Sequence, residues 1–233
     1  MTNQPKNKDP VAALWAACYK GAVAEMSEER DEDRPMPFRP REYAENTIFI
    51  YGPFVSERVG DMMRYYGESN YMTYGVFEEQ MARVTGNELM LRINSPGGQI
   101  DEAARCRLRL QMYQQEGGRI NALVEGMDAS GSTLLTQLAD QRQIADMGSM
   151  MIHEVRYPLD AYGYYDENGL KKVAQKATAL AEYVVEKNAM MASIYAESTG
   201  LSVLQCRRMM TAETYMSASM AVDKGFADSI FRP

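Results

Sequence analysis

Histidine occurs once in these 233 residues, as His153, and tryptophan also occurs once. Any chemistry that needs an imidazole is therefore confined to one position. Cysteine is scarce too: Cys18, Cys106 and Cys206 are widely spaced and form no CxxC pair. That spacing excludes a disulfide framework and, with a single histidine, a Cys/His metal site, and it points to a reducing cytoplasm. No metal or organic cofactor is expected. Long apolar runs are missing, since no stretch approaches the roughly 20 residues a membrane helix needs. The first ten residues lack the apolar core of a secretory signal. An excess of basic residues is also absent. A net charge of −7 excludes a general nucleic-acid binder, which needs clustered Lys and Arg against phosphate.

What remains is the composition of a globular protein, 45% hydrophobic and 24% charged, long enough for one large domain with appendages. Methionine is abundant, at 19 residues, and suits adaptable packing in cores and interfaces. Residues 1–46 differ from the rest. A short helical pattern over 12–24 precedes a dense charged and proline-rich stretch over 28–40, the character of a flexible arm or pro-segment. From residue 47 onward the chain reads as one domain, 47–233. Apolar strand-type runs at 47–51, 89–93, 120–124, 143–146 and 149–153 alternate with helical patterns at 73–84, 99–115 and 130–139. That alternation predicts an α/β fold with a mostly parallel sheet.

The longest helical pattern spans 168–198. Leu170, Val173, Ala177, Leu180, Val184, Met191 and Ile194 mark one stripe, with Lys172, Lys176, Glu182 and Glu186 elsewhere around it. At 1.5 Å per residue, about 30 residues reach roughly 45 Å, more than the diameter of a small domain. Such a helix is expected to project and bury its stripe against a partner. A bent helix within the monomer is the alternative. Thr199-Gly200 supplies the stop.

Two glycine-rich turns follow strand candidates, and ligand sites in open α/β sheets favour that edge. The first is Asn94-Ser-Pro-Gly-Gly98; the second is Gly126-Met-Asp-Ala-Ser-Gly-Ser132. A serine becomes a useful nucleophile only when a base takes its proton and backbone donors hold the oxyanion. Ser130, between Ala129 and Gly131, is one candidate, and Ser132 is a second hydroxyl. Position alone suits Ser130 better to an ordinary helix N-cap than to a nucleophile. Asp128 breaks the Gly-x-Ser-x-Gly pattern of lipase-type elbows. His153 closes the apolar run Met150-Met-Ile-His153, at the end of a strand candidate. A lone histidine in such an apolar context is more often a structural residue than a base.

The order of these pieces resembles the ClpP-type serine protease family. The resemblance is carried by Ile93-Asn-Ser-Pro-Gly-Gly98, Ala129-Ser130 and Met151-Ile-His153. It continues through the long helix into Tyr195-Ala-Glu-Ser-Thr-Gly200, Tyr215-Met-Ser-Ala218 and Gly225-Phe-Ala-Asp-Ser-Ile230. It spans about 47–231 and implies a ClpP/crotonase-like fold of stacked β-α-β units with a long projecting helix used in oligomerisation. It implies a serine endopeptidase with Ser130 as nucleophile and His153 as base. The oxyanion donors would be Gly98 (with Gly97 adjacent) and Gly131. The family's third member is an Asp two residues before the aromatic of the Tyr215 segment. Here that position is Glu213, with Asp223 and Asp228 as substitutes.

The resemblance further implies protein or peptide substrates, a homo-oligomeric ring and a possible ATP-dependent unfoldase partner. Glu-Val-Arg after His153 and Gly131 after the serine resemble the branch encoded by tailed phages and prophages. Members of that branch are implicated in head maturation, cutting scaffold or capsid proteins, which would place the chain in the host cytoplasm. Three alternatives stay open: an inactive assembly or scaffold protein, a Ser–Lys peptidase using Lys171 or Lys172, and an acyl-CoA hydratase-like activity on the same general fold.

Overall fold

The computed structural model describes residues 45–159 and 163–232. Nearly all of the expected arm, 1–46, lies outside the described residues. The sheet is built from β1 (Thr47–Tyr51), β2 (Glu88–Ser95), β3 (Arg119–Ala129), β4 (Gln141–Ala145), β5 (Ser149–Ile152), β6 (Thr214–Ser217) and β7 (Ser229–Phe231). β1, β2, β3, β4 and β7 run side by side in that order, all parallel.

β3 is the pivot of the fold. Its first half, Asn121 to Val124, pairs with β4; its last three residues, Met127 to Ala129, pair with β5. The change of partner occurs around Gly126, where a Cβ would lie 2.7 Å from the Asn94 side chain. β2 has a register irregularity at the same level, between Ile93 and Ser95. β6 then adds antiparallel to β5. The alternation that marked the strands is kept: Leu89, Leu91 and Ile93 of β2 and Ile120, Ala122 and Val124 of β3 are all buried.

Among the described residues seven α-helices accompany the sheet: α1 (Glu57–Tyr65), α2 (Tyr74–Met81), α3 (Ile100–Gln115), α4 (Thr133–Thr136), α5 (Glu167–Thr199), α6 (Val203–Thr211) and α7 (Ala218–Asp223). α3 buries Ile100, Ala103, Cys106, Leu110 and Tyr113, the three-to-four spacing of one helical face. Among the described residues no helix is long and apolar enough to cross a membrane.

α5 is the long helix the sequence predicts. Asp166 caps its start by accepting the Gly169 N–H at 2.7 Å, and Gly200 ends it at φ 75°. None of its residues before Asn188 is buried, and Leu170 and Val185 are 57% and 61% exposed. The docked portion is the last three turns, where Asn188, Met191, Ala192 and Tyr195 enter the core. The expected helix over 130–139 is different in kind. Ser130–Ser132 form a 3-10 turn and only Thr133–Thr136 are α-helical. The reason is local: Ser130 sits at φ 56°, which no right-handed α-helix accepts.

Candidate active site

The fork of the sheet brings the two glycine turns and His153 together. Ser130 follows the last residue of β3, and its left-handed backbone costs about 1–3 kcal/mol that its surroundings must offset. Gly97 packs directly on it. A Cβ at position 97 would lie 2.3 Å from the Ala129 carbonyl oxygen and 2.7 Å from Ser130 Cβ, so only glycine fits. The Gly97 N–H donates to Ser95 Oγ at 3.1 Å.

Gly98 is held from its other side. The Phe54 N–H donates to the Gly97 carbonyl at 2.7 Å, and the Gln99 N–H donates to the Phe54 carbonyl at 2.9 Å. In such a parallel bridge the N–H and C=O of the middle residue point the opposite way. The Gly98 N–H thus faces away from Phe54 and has no partner among the described residues. Gly131 abuts it: a Cβ there would lie 3.4 Å from the Gly98 carbonyl oxygen. Gly131 opens a helical turn, where backbone N–H groups lack intrahelical acceptors.

His153 immediately follows β5, and its Nε2 lies 2.8 Å from Ser130 Oγ. Burial lowers the pKa of the ring below the usual histidine value, Arg156 adds to that, and Glu213 opposes it. The other ring nitrogen, Nδ1, is buried and has no hydrogen-bond partner among the described residues, although the Glu154 backbone weakly favours the protonated ring.

Pairing between β5 and β6 aligns Ile152 with Thr214. One step further along this antiparallel ladder places Glu213 opposite His153, in a turn at φ 50°. The Glu213 carboxylate, however, is hydrogen-bonded to the Arg156 guanidinium, which holds its pKa below the usual carboxylate range. The structure therefore brings Ser130 and His153 into contact and leaves Glu213 beside them, bound to Arg156. The substitutes lie elsewhere. Asp228 is paired with Arg142 at 2.5 Å, and Asp223 is exposed at the end of α7. Lys171 is paired with Glu167 on the first turn of α5.

Ser132 is occupied. Its hydroxyl donates to Asp128 Oδ1 at 2.5 Å and accepts the Ala129 N–H at 3.0 Å. The Thr136 hydroxyl donates to Asp128 Oδ2 at 2.6 Å. Asp128 is fully buried with no cation paired to it among the described residues, and burial, against these two donors, pushes its pKa up to about 6. A folded-state value above the unfolded value of about 3.9 means protonation favours the fold. The benefit is complete below about pH 4 and is lost as pH rises through 6. Asp128→Asn should remove this dependence. In chemical denaturation from pH 4 to 7, wild type should lose roughly 2 kcal/mol relative to the variant. A constant difference across that range contradicts the assignment.

Asp128 and Arg156 were not legible as site residues from their types and spacing. The one available hint was a charged residue two before Ser130, on the same side of a strand and in an apolar setting. Among the described residues, no group of three or more His, Cys, Asp or Glu side chains is placed to hold a metal ion.

Comparison with known proteins decides the family. The family model for Clp protease matches residues 76–233, which include Gly98, Ser130, His153 and Glu213. The chain belongs to the Clp protease family. Its fold is similar to that of a point mutant of ClpP1 from Listeria monocytogenes, with a TM-score of 0.59 at 17% identity, covering 81% of this chain and 92% of that one. At that identity the likeness concerns the fold. No curated protein matches the sequence. The Clp protease match begins within α2 (Tyr74–Met81), so β1, α1 and the Phe54 bridge lie outside it.

Proposed function

We propose that this member of the Clp protease family is a serine endopeptidase. The observation that carries the reading is the 2.8 Å contact between His153 Nε2 and Ser130 Oγ. A nucleophile and base within hydrogen-bond reach, on a strained turn at a strand end, suit acyl transfer. Ser130 attacks a peptide carbonyl as His153 takes its proton and later returns it to the leaving amine. The N–H groups of Gly98 and Gly131 receive the oxyanion, a role worth roughly 3–4 kcal/mol per donor in well-studied cases. Glu213 orients the imidazole and stabilises its cation. Water then releases the acyl group through the same base.

The free side of Gly98 suits a substrate laid down as an added strand, bound largely through its backbone. The projecting part of the α5 stripe, with Leu170 exposed and Val173, Ala177, Leu180 and Val184 only half-buried, suits a homo-oligomeric ring with the sites facing an inner chamber. An ATP-dependent unfoldase is one way such a chamber is fed. Glu154-Val-Arg156 and Gly131 favour the phage branch, with capsid or scaffold protein as substrate in the host cytoplasm.

Incubation with casein, an unfolded protein, tests the reading. Wild type should cut it into peptides and Ser130→Ala should not. Intact casein after incubation with assembled wild type favours the scaffold alternative, for which His153 Nδ1, without a partner among the described residues, is the supporting observation.

A further inference from the structure

The Ser130 carbonyl is fixed by a buried hydroxyl pair. Thr133 Oγ1 lies 2.5 Å from that oxygen and 2.7 Å from the Tyr195 hydroxyl. Thr133 has one proton to give, and a carbonyl can only accept. The direction is therefore set: Tyr195 O–H donates to Thr133, and Thr133 donates to Ser130. Tyr195 is fully buried in the docked end of α5, its ring against Phe226 at 5.4 Å.

Two turns earlier on the same face, buried Asn188 accepts the Val155 N–H at 2.8 Å, two residues beyond His153. A third tie joins α5 to the start of α3: Asp101 accepts from Tyr183 at 2.7 Å and from Lys187 at 2.9 Å. The same carboxylate accepts from Tyr157 at 2.9 Å. One helix thus holds the nucleophile's peptide, the segment after the base and the residue three beyond Gly98.

Resting on the peptidase reading, we infer that Tyr195 and Asn188 are positioning residues, through which the docking of α5 sets the approach of Ser130 to His153. Residues 167–187 of that helix carry no buried side chain. Neither Tyr195 nor Asn188 touches a substrate.

Tyr195→Phe tests this while keeping the ring packing. With a fluorophosphonate as probe, the maximal acylation rate should fall about 5- to 10-fold, as expected for loss of one buried hydrogen bond, with the probe's half-saturating concentration unchanged. Thr133→Val should reproduce the loss, Thr133→Ser should restore the wild-type rate, and Tyr195→Phe with Thr133→Val should be no slower than Thr133→Val alone. An unchanged acylation rate in Tyr195→Phe overturns the inference. Amide hydrogen exchange over 130–133 reads the same linkage without catalysis. Tyr195→Phe should speed exchange there about tenfold, and an unchanged rate overturns the inference even where no label is taken up. A wild type that exchanges as expected but takes no label contradicts only the peptidase reading.

Discussion

Ser130→Ala and His153→Ala should each lower peptide hydrolysis by about 10⁴- to 10⁶-fold, and the double variant should be no slower than the worse single. In the proposed mechanism the two groups act on one proton: the serine is a weak nucleophile without the base, and the base has nothing to activate without the serine. Their 2.8 Å separation makes that sharing direct. Steady-state hydrolysis of a fluorogenic peptide by the three variants measures it. Additive losses would mean that the two side chains serve separate roles. The base works as neutral imidazole, so the rate falls as pH drops through its pKa. Burial and Arg156 hold that pKa down, so the acid limb should lie below 6.5. Arg156→Gln removes a neighbouring cation and should move the limb to higher pH.

Glu213→Gln should lower the same rate by about 10²-fold or more, within the range seen when a triad carboxylate loses its charge. The ladder from β5 to β6 puts Glu213 across from His153, and its charge already raises the pKa of the ring. Nδ1 is buried without a partner among the described residues, and two other carboxylates are engaged elsewhere: Asp228 is held by Arg142, and Asp128 by Ser132 and Thr136. Arg156 is the competitor. Its guanidinium is largely exposed, so the pair with Glu213 is a weak one and yields readily to a better partner. Arg156→Gln should therefore raise the rate at neutral pH a few-fold, and this gain should vanish in combination with Glu213→Gln. A Glu213→Gln variant with the wild-type rate would move the third role to another group.

The elements with strong periodicity were legible in the sequence. The long helix is expected at 168–198 and runs Glu167–Thr199, because a capping aspartate and a left-handed glycine bound it chemically. Strands β1 to β5 were readable as apolar runs, whereas β7 (Ser229–Phe231) is only three residues long and was not, and the family match and fold agree with the expected α/β architecture. What escaped has physical reasons. α1 (Glu57–Tyr65) buries only Gly60, so it leaves little apolar pattern. β6 is four residues long with one buried side chain, and its pairing with β5 is a long-range contact. The nucleophile turn was expected as a helix start because small and hydroxyl residues signal both. Only the backbone reveals φ 56° at Ser130. Two buried groups, Asp128 with Ser132 and Thr136, and Thr133 with Tyr195, tie β3 and α5 to the turn after Ser130, and no local spacing encodes them.

The central claim is that Ser130 is a nucleophile activated by His153. Intact mass and peptide mapping after fluorophosphonate treatment test it most directly. The account predicts one adduct per chain, located on Ser130, absent in Ser130→Ala and strongly slowed in His153→Ala. No adduct on a folded, assembled wild type, or an adduct on another residue, would contradict it.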